Sequence, residues 1–301
     1  MKQKETAAVL MVLLAAACWG ANGIFVNILT DLGFNGSQIT LVRMCSVAVI
    51  SAVLLAVKSP QDFKIDRRDL GWFAISGALG LFAFGLFYTY AIQRVGMGTA
   101  AVLIYLMPSL VMVFSVVFLG EQFTARKGLC LVLSLLGCAL VSGVAGGITM
   151  DLAGVGFGLA SAVCYAVQNI LLATKLKKYS AMTNLVYAFL FSAAASFVFC
   201  ACTGELPGAV QIVLTPKALV ANVLLGIVCS LVAQWLYNTA LKTIPASKAS
   251  IAATFEPVAA ALFGFVLFNQ TMDGFGIAGI VCELAALVLL QMPARTNQKE
   301  G

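Results

Sequence analysis

The segment at residues 88–108, YTYAIQRVGMGTAAVLIYLMP, has a counterpart at residues 237–257, YNTALKTIPASKASIAATFEP. The two segments align without a gap at an offset of 149 positions, the difference between 257 and 108. A shorter match at an offset of 146 lies nearer the start of each half. The paired residues are Tyr88 with Tyr237, Ala91 with Ala240, Ala100 with Ala249, Pro108 with Pro257, Phe114 with Phe263, Cys18 with Cys164, Trp19 with Tyr165, and Asn22 with Gln168. This recurrence predicts a chain built from two related halves.

The composition around these segments is that of a membrane protein. Of the 301 residues, 61% are hydrophobic and only 10% are charged, whereas a soluble domain carries about 25% charged residues. The apolar residues come in runs of about 20, which matches the roughly 30 Å thickness of the hydrocarbon core. The first run, Ala7 to Leu29, is too long for the apolar region of a signal peptide. We therefore interpret it as a retained first helix.

The apolar runs divide the chain into ten predicted spans with short connections. They cover residues 7–29, 39–57, 70–92, 98–119, 126–144, 154–174, 183–203, 217–241, 246–268 and 274–292. Five spans per half is an odd number, so the second half enters the membrane from the opposite side. We predict an all-α membrane protein of ten transmembrane helices, arranged as two inverted five-helix repeats at residues 1–147 and 148–301. Secondary transporters commonly use this plan and place the substrate site at the midplane.

The distribution of Lys and Arg predicts the orientation. Fifteen of the 18 basic residues flank the spans on one side, and only Arg94 and Lys217 fall on the other. Cytoplasmic loops carry the excess of Lys and Arg. We therefore expect a multi-pass protein of a bacterial-type inner membrane with both termini in the cytoplasm. This topology accounts for the net charge of +6, so the charge gives no support to a nucleic-acid partner.

Several classes of site lack their residues. The chain has no histidine, and its nine cysteines all fall within apolar runs rather than at metal-ligand spacings. No Gly-x-Ser-x-Gly elbow, no pair of mid-membrane aspartates and no Walker A motif occurs. We therefore expect no enzyme, no intrinsic ATP-driven pump, no metal site and no cofactor. Any proton relay must use carboxylates, tyrosines or water.

The chain resembles the drug/metabolite transporter superfamily, specifically its ten-helix EamA-type members, over nearly its whole length. The resemblance rests on Trp19-Gly20 in the first span, on Pro108 with Leu119-Gly120-Glu121 in the fourth, and on Glu256-Pro257 in the ninth. The ninth span ends in Phe268-Asn269-Gln270 and departs from the Gly-Glu ending of the fourth. Family members that it resembles export amino acids, drugs and other metabolites, and some import small solutes.

Glu256 is the first candidate for a functional residue. It is the eleventh residue of the predicted span 246–268 and lies beside Pro257. An ionised carboxylate near the bilayer centre is costly unless it is paired, protonated or in contact with water. We hypothesise that Glu256 faces a central cavity, where it binds a cationic substrate group or exchanges protons. The alternative is a protonated carboxyl group that packs between helices.

Aromatic and amide side chains form the second candidate set. A tryptophan or tyrosine deep in a span needs a partner for its polar atom, and a water-filled cavity can supply one. Aromatic faces near a carboxylate would suit a cation or an aromatic amino acid. The predicted substrate-binding set is Glu256, Trp19, Asn22, Tyr88, Tyr105, Tyr165, Gln168, Trp235, Tyr237 and Asn238.

Other residues receive different predictions. Pro108, Pro257 and Glu121 are expected to act as hinge or gate residues. Glu283 in the tenth span is either functional or a carboxyl bonded between helices. Arg43 lies about five residues inside the second span, and snorkelling to the outer interface is the favoured interpretation.

Three classes of function fit a chain of this kind. The favoured one is a secondary carrier of a small metabolite, an amino acid or an amine-like solute, that exports by alternating access with protons as a candidate coupling ion. The alternatives are a flippase for a lipid or lipid-linked intermediate, and an importer of a quaternary ammonium solute such as choline. The expected partners are a small-molecule substrate and the lipid bilayer, with a homodimer through the fifth and tenth helices as one alternative for assembly.

Overall fold

The computed structural model describes residues 2–141, 151–268 and 274–291, and within these ranges the chain is helical and contains no strand. The α-helices are α1 (Lys2–Gly20), α2 (Asn22–Asp31), α3 (Gly36–Lys58), α4 (Leu70–Ala74), α5 (Phe84–Ile104), α6 (Met107–Leu119), α7 (Ala125–Val141), α8 (Leu152–Ala173), α9 (Ala181–Thr203), α10 (Leu206–Leu214), α11 (Pro216–Leu224), α12 (Ala233–Ala240), α13 (Ala246–Ala253), α14 (Glu256–Phe268) and α15 (Gly274–Gln291). Each predicted span overlaps helical residues. The side chains of Pro257 and Glu283 lie outside what the structure describes, as do Asn269 and Gln270.

Six helical segments of the described chain are long and apolar enough to cross a membrane. They are Gln3–Asp31, Gly36–Lys58, Arg67–Ala91, Leu152–Ala173, Ala181–Thr203 and Pro216–Ala240. Two shorter apolar helices, Met107–Leu119 and Gly274–Leu289, accompany them. The all-helical membrane class is therefore confirmed. The long connection predicted after residue 203 is not a simple loop, because it forms the short helix α10.

Prolines explain two breaks in the helices. α5 ends at Ile104, four residues before Pro108, and α13 ends at Ala253, four residues before Pro257. Proline has no backbone N–H and cannot bond the carbonyl four residues earlier. Each helix therefore stops at that carbonyl, and a new helix begins within three residues. The two breaks lie 149 positions apart, as the aligned segments do.

The connection predicted between residues 92 and 98 differs from the expectation, because residues 84–104 are helical throughout. The packing nevertheless shows that α5 is not straight. Tyr88 and Leu103 lie in one apolar cluster with Val155 and Phe157. In a straight helix, the 15 residues between Tyr88 and Leu103 would separate them by about 22 Å along the axis. The axis of α5 therefore bends between these two residues.

Two π-helical segments occur at matching places in the halves. Ile75–Ala83 joins α4 to α5, and Leu225–Val232 joins α11 to α12. The widened turn of a π-helix is often found at functional sites. Both segments also contain glycines in tight contact with neighbouring helices: a Cβ on Gly80 would lie 2.7 Å from the Cβ of Gln168, and one on Gly226 would lie 2.9 Å from Val47 Cγ2.

The packing of the helices follows the sequence repeat. The second predicted span packs on the seventh (α3 on α9), and the fifth packs on the tenth (α7 on α15). The contact of α5 with α8 has its counterpart in the contact of α12 with α1, and that of α6 with α8 in that of α14 with α1. If each helix is replaced by its counterpart in the other half, each of these contacts becomes either the same contact or its counterpart.

Gly77 provides a test of this packing. A Cβ at this position would lie 2.7 Å from Phe191 Cβ and 3.0 Å from the backbone nitrogen of Ser192 in α9. We expect Gly77→Ala to lower the stability by about 1–3 kcal/mol through overpacking, measured as a lower melting temperature in detergent. Gly85→Ala is the matched control, because no atom lies within 4 Å of a Cβ there. Equal melting temperatures for the two variants would contradict this helix contact.

Candidate functional site

Three rings from three predicted spans meet where α1 ends. Trp19, the penultimate residue of α1, lies 5.4 Å from the Tyr237 ring and 6.4 Å from the Tyr165 ring between centroids. Phe84 stacks on Tyr165 at 4.8 Å. We call Trp19, Phe84, Tyr165 and Tyr237 the aromatic cluster. Trp19 and Tyr165 were predicted to be repeat-related, and their rings are in contact.

Polar atoms of this cluster are fixed by hydrogen bonds. The Tyr237 hydroxyl donates to Oδ1 of Asn169, and Asn169 Nδ2 donates to the backbone oxygen of Tyr165 at 2.9 Å. The Tyr165 hydroxyl lies near the side chain of Gln234. Tyr237 is 1% exposed and Asn169 is fully buried. Buried polar groups of this kind fix ring orientation because an unmade bond is costly.

Sequence analysis did not single out Asn169, Gln234 or Phe84. Helical periodicity could have found the first two, because Asn169 follows Tyr165 by four positions and Gln234 precedes Tyr237 by three, so that each pair shares a helix face. For the same reason Trp235 turns away. It is 40% exposed and makes no ring contact with the aromatic cluster, so the structure does not support its predicted place in the substrate site.

Glu256 lies beside the aromatic cluster. It is the first residue of α14, directly after the break at Thr254 and Phe255, and it is half-buried. Its carboxyl group lies in the neighbourhood of the hydroxyls of Tyr88 and Tyr165. A Cβ on Gly20 would lie 3.0 Å from the backbone oxygen of Glu256, so α1 approaches this turn without an intervening side chain. Among the side chains that the structure describes, none hydrogen-bonds or ion-pairs with the Glu256 carboxylate.

Arg43 was assigned to the interface by the snorkelling interpretation, and the structure places it differently. Its Nη1 donates a long hydrogen bond of 3.4 Å to Oδ1 of Asn22, the first residue of α2. Its Nε is buried without a hydrogen-bond partner. A Cβ on Gly226 would lie 3.9 Å from Arg43 Cγ, so Arg43 lies against the π-helical segment Leu225–Val232. The guanidinium is therefore directed into the bundle near the break between α1 and α2.

Two predicted amide ligands carry acceptors without partners. Gln168 is 3% exposed and Asn238 is 6% exposed, and neither Gln168 Oε1 nor Asn238 Oδ1 has a hydrogen-bond partner in the structure. Tyr88 is half-buried and parallel to Phe84 at 6.4 Å. Tyr105 lies buried in the turn between α5 and α6.

One end of the bundle, the basic end, carries residues 58–69, 121–127, 175–180 and 242–248. Here Glu121, predicted as a gate residue, accepts hydrogen bonds from Lys127 Nζ at 2.9 Å and from the Ser247 hydroxyl. Glu121 therefore joins the end of α6 to the start of α13. Lys248 pairs with Glu5 at 2.7 Å.

A second group of contacts closes the basic end between the halves. Asp69 accepts from the Tyr179 hydroxyl at 2.5 Å and pairs with Lys178 Nζ at 2.6 Å. The hydrogen bond that Lys178 Nζ donates to Asp69 raises the pKa of the Lys178 ammonium group. The Tyr187 hydroxyl donates to the backbone oxygen of Phe63 at 2.7 Å.

The opposite end of the bundle contains a cavity. It has a volume of about 200 Å³. Its lining residues are Asn35, Gly36, Ser37, Thr40, Phe82, Leu86, Thr89, Tyr90, Phe199, Thr203 and Glu205. Glu205 Oε2 accepts hydrogen bonds of 2.7 Å from Asn35 Nδ2 and Gln38 Nε2. Arg94 and Asp151 form an exposed ion pair of 3.2 Å at the same end.

No group of three or more His, Cys, Asp or Glu residues that could hold a metal ion occurs in the described part of the chain.

Comparisons with known proteins agree on one family. The model of the EamA-like transporter family matches residues 6–143 and again residues 152–292. A relative from Streptantibioticus cattleyicolor, named "Probable terminal-alkyne amino-acid exporter", is 26% identical over 99% of this chain and 98% of its own length. The "Uncharacterized inner membrane transporter YicL" of Salmonella typhimurium is 22% identical over 96% and 97%. A crystal structure with a TM-score of 0.79 is 17% identical and covers 94% of this chain and 96% of that one, which shows the fold alone.

The hydrogen bond between Tyr237 and Asn169 generates a stability prediction. In Tyr237→Phe the ring remains but Asn169 Oδ1 loses its donor, and a buried polar atom left unpaired costs about 1–3 kcal/mol. We expect a lower melting temperature in detergent. Tyr90→Phe is the matched control, because the Tyr90 ring contacts Phe157 and its hydroxyl forms no hydrogen bond with the described residues. If the two variants have equal melting temperatures, the Tyr237 hydroxyl does not stabilise the aromatic cluster.

Proposed function

The chain belongs to the EamA-like transporter family, and on that premise we propose that it is a secondary active transporter that exports a small metabolite by alternating access. The substrate proposed is an amino acid or an amine-like solute. The observation that carries the proposal is the meeting of Trp19, Tyr165, Tyr237 and Glu256 at the helix breaks after Gly20 and Ala253. Irregular backbone at membrane depth is tolerated where it is buried in protein or lines a cavity.

Two inverted halves of five spans each, residues 1–147 and 148–301, are part of this proposal. The family model matches one segment in each half. The equivalent breaks before Pro108 and Pro257 and the two π-helical segments support the same division. Exchange of roles between similar halves gives two alternative states of comparable energy, which alternating access requires.

The residues around the break determine the kind of substrate proposed. A carboxylate without a described partner provides an ion pair for an ammonium group. Aromatic faces next to it add cation–π attraction and apolar contact. Neutral polar contacts come from the unpaired oxygens of Gln168 and Asn238. The amino-acid exporter among the relatives supports this substrate class and the export direction.

Glu256 is tested first by transport. A thermal-shift screen of the purified protein against amino acids, amines and nucleosides selects a stabilising compound, and proteoliposomes then measure its uptake. We expect Glu256→Gln to reduce uptake roughly tenfold or more, because hydrogen bonds to charged groups contribute about 1.5–3 kcal/mol. If Glu256 exchanges protons instead, the variant keeps exchange between equal substrate pools and loses accumulation driven by a pH gradient.

The control for this experiment is Asp151→Asn. Asp151 caps α8 at the opposite end of the bundle and pairs there with Arg94, so its charge is remote from the helix breaks. Unchanged uptake and exchange in Glu256→Gln would contradict both roles of the residue. The absence of stabilisation by any polar solute would favour the flippase alternative.

The orientation is a separate prediction. Because Lys and Arg flank the basic end, we propose that both termini and the basic end are cytoplasmic. A C-terminal green fluorescent protein fusion should fluoresce, and alkaline phosphatase fused in the connection after Asp31 should be active. The reverse pattern of reporter activity would contradict this topology.

A further inference from the structure

Arg43 is a charged residue well inside a span. It is the eighth of the 23 residues of α3, which places it about 10 Å along the helix from Gly36. It is half-buried, and its Nε is enclosed without a hydrogen-bond partner. A guanidinium has five N–H donors and cannot lose its proton in a protein. Only one donor, Nη1, has a described partner, the oxygen of Asn22 at 3.4 Å.

No carboxylate of the described chain neutralises this charge. The ion pairs between described residues involve Glu5, Asp69, Glu121 and Asp151, and none involves Arg43. α3 packs on α9, α10, α11 and the π-helical segment Leu225–Val232. Glu205, where α9 meets α10, is the described carboxylate at these elements, and it accepts hydrogen bonds from Asn35 and Gln38 instead. A charge inside a span without a counter-ion is costly, and such residues commonly mark substrate pathways.

The four residues Trp19–Asn22 connect Arg43 to the proposed substrate site. Trp19 contacts Tyr165 and Tyr237, the Gly20 backbone adjoins the first turn of α14, and Asn22 contacts Arg43. Since two residues span at most about 7 Å, the first turn of α14 and Arg43 contact the same short segment of the chain. The π-helical segment Leu225–Val232 packs on both α1 and α3 in the same region.

We propose that Arg43 and Asn22 form a carboxylate-binding subsite, which acts together with Glu256 on a substrate that carries both a carboxylate and an ammonium group. This inference rests on the proposed function and narrows its substrate class from amino acids or amine-like solutes to zwitterions. The planar guanidinium binds a carboxylate through two parallel hydrogen bonds. The Asn22 amide donates a further one, and the aromatic cluster contacts the side chain of the substrate.

The test compares matched compounds. In the first series, phenylalanine carries both charges, 2-phenylethylamine carries only the ammonium group and 3-phenylpropionate carries only the carboxylate. Leucine, 3-methylbutylamine and 4-methylpentanoate form the second series in the same order. Binding is measured by thermal shift and by inhibition of uptake in proteoliposomes. We expect the wild-type protein to bind an amino acid of one series at least roughly tenfold tighter than its amine, the effect of one charge-assisted contact.

Two variants isolate the subsite. Arg43→Gln should weaken binding of that amino acid roughly tenfold or more and leave binding of the amine unchanged. Asn22→Asp retains the fold by placing a carboxylate next to the guanidinium. That carboxylate should compete with the substrate carboxylate for Arg43, and it should weaken binding of the amino acid but not of the amine. Arg94→Gln removes a guanidinium from the exposed ion pair with Asp151. This variant should leave binding of both the amino acid and the amine unchanged.

The outcomes separate the two proposals. If the amine binds the wild-type protein as tightly as the amino acid, or if both variants leave amino-acid binding intact, the carboxylate subsite is wrong while an amine carrier stands. Equal weakening of amine and amino acid in both variants would likewise overturn the subsite and indicate a structural role for Arg43. No binding or transport of any compound in either series would overturn both proposals.

Discussion

Backbone hydrogen bonding in the absence of water is the constraint on which this structure depends. Within hydrocarbon each N–H and C=O must be bonded inside the protein, so the apolar segments form helices. A break is tolerated only where neighbouring groups enclose it. The breaks at Ala21, before Pro108 and before Pro257 therefore lie inside the bundle. Polar side chains gather there because the breaks leave room and unsatisfied atoms, so the same constraint positions both the helices and the site.

Electrostatics gives the site its specificity. Arg43 lies in the first half and Glu256 in the second, and neither has a described counter-ion. A pair in direct contact would be more stable, yet it would leave nothing for a ligand, since a buried pair satisfies itself. Because the two charges lie on different spans and are not paired with each other, both remain available to bind a ligand. The short segment from Trp19 to Asn22 fixes their separation by contacting one through the Gly20 backbone and the other through the Asn22 amide.

The sequence was sufficient to predict the all-helical membrane class and the EamA-like family, because hydrophobic length and short motifs are local properties. Of the predicted site residues, Tyr165 and Tyr237 both contact the ring of Trp19. Trp235 does not, since its position on α12 lies about 100° around the helix from Gln234. Depth alone predicted a snorkelling Arg43; its contact with Asn22 depends on where α1 breaks. A connection was expected between residues 92 and 98 because the apolar runs are interrupted there, but the backbone is helical through these residues.

The two ends of the bundle differ in how they close, and this bears on how a substrate could move the protein. The basic end is held by ion pairs such as Lys127 with Glu121 and Lys248 with Glu5, which remain partly exposed. An ion pair that water reaches contributes little net stability, so these pairs can break and re-form as this end opens and closes. A ligand shifts a conformational equilibrium only by its differential affinity for the two states. A zwitterion that bridges Arg43 and Glu256 binds groups from both halves at once. Its affinity therefore changes whenever the halves move relative to each other, and that dependence supplies the coupling between binding and opening.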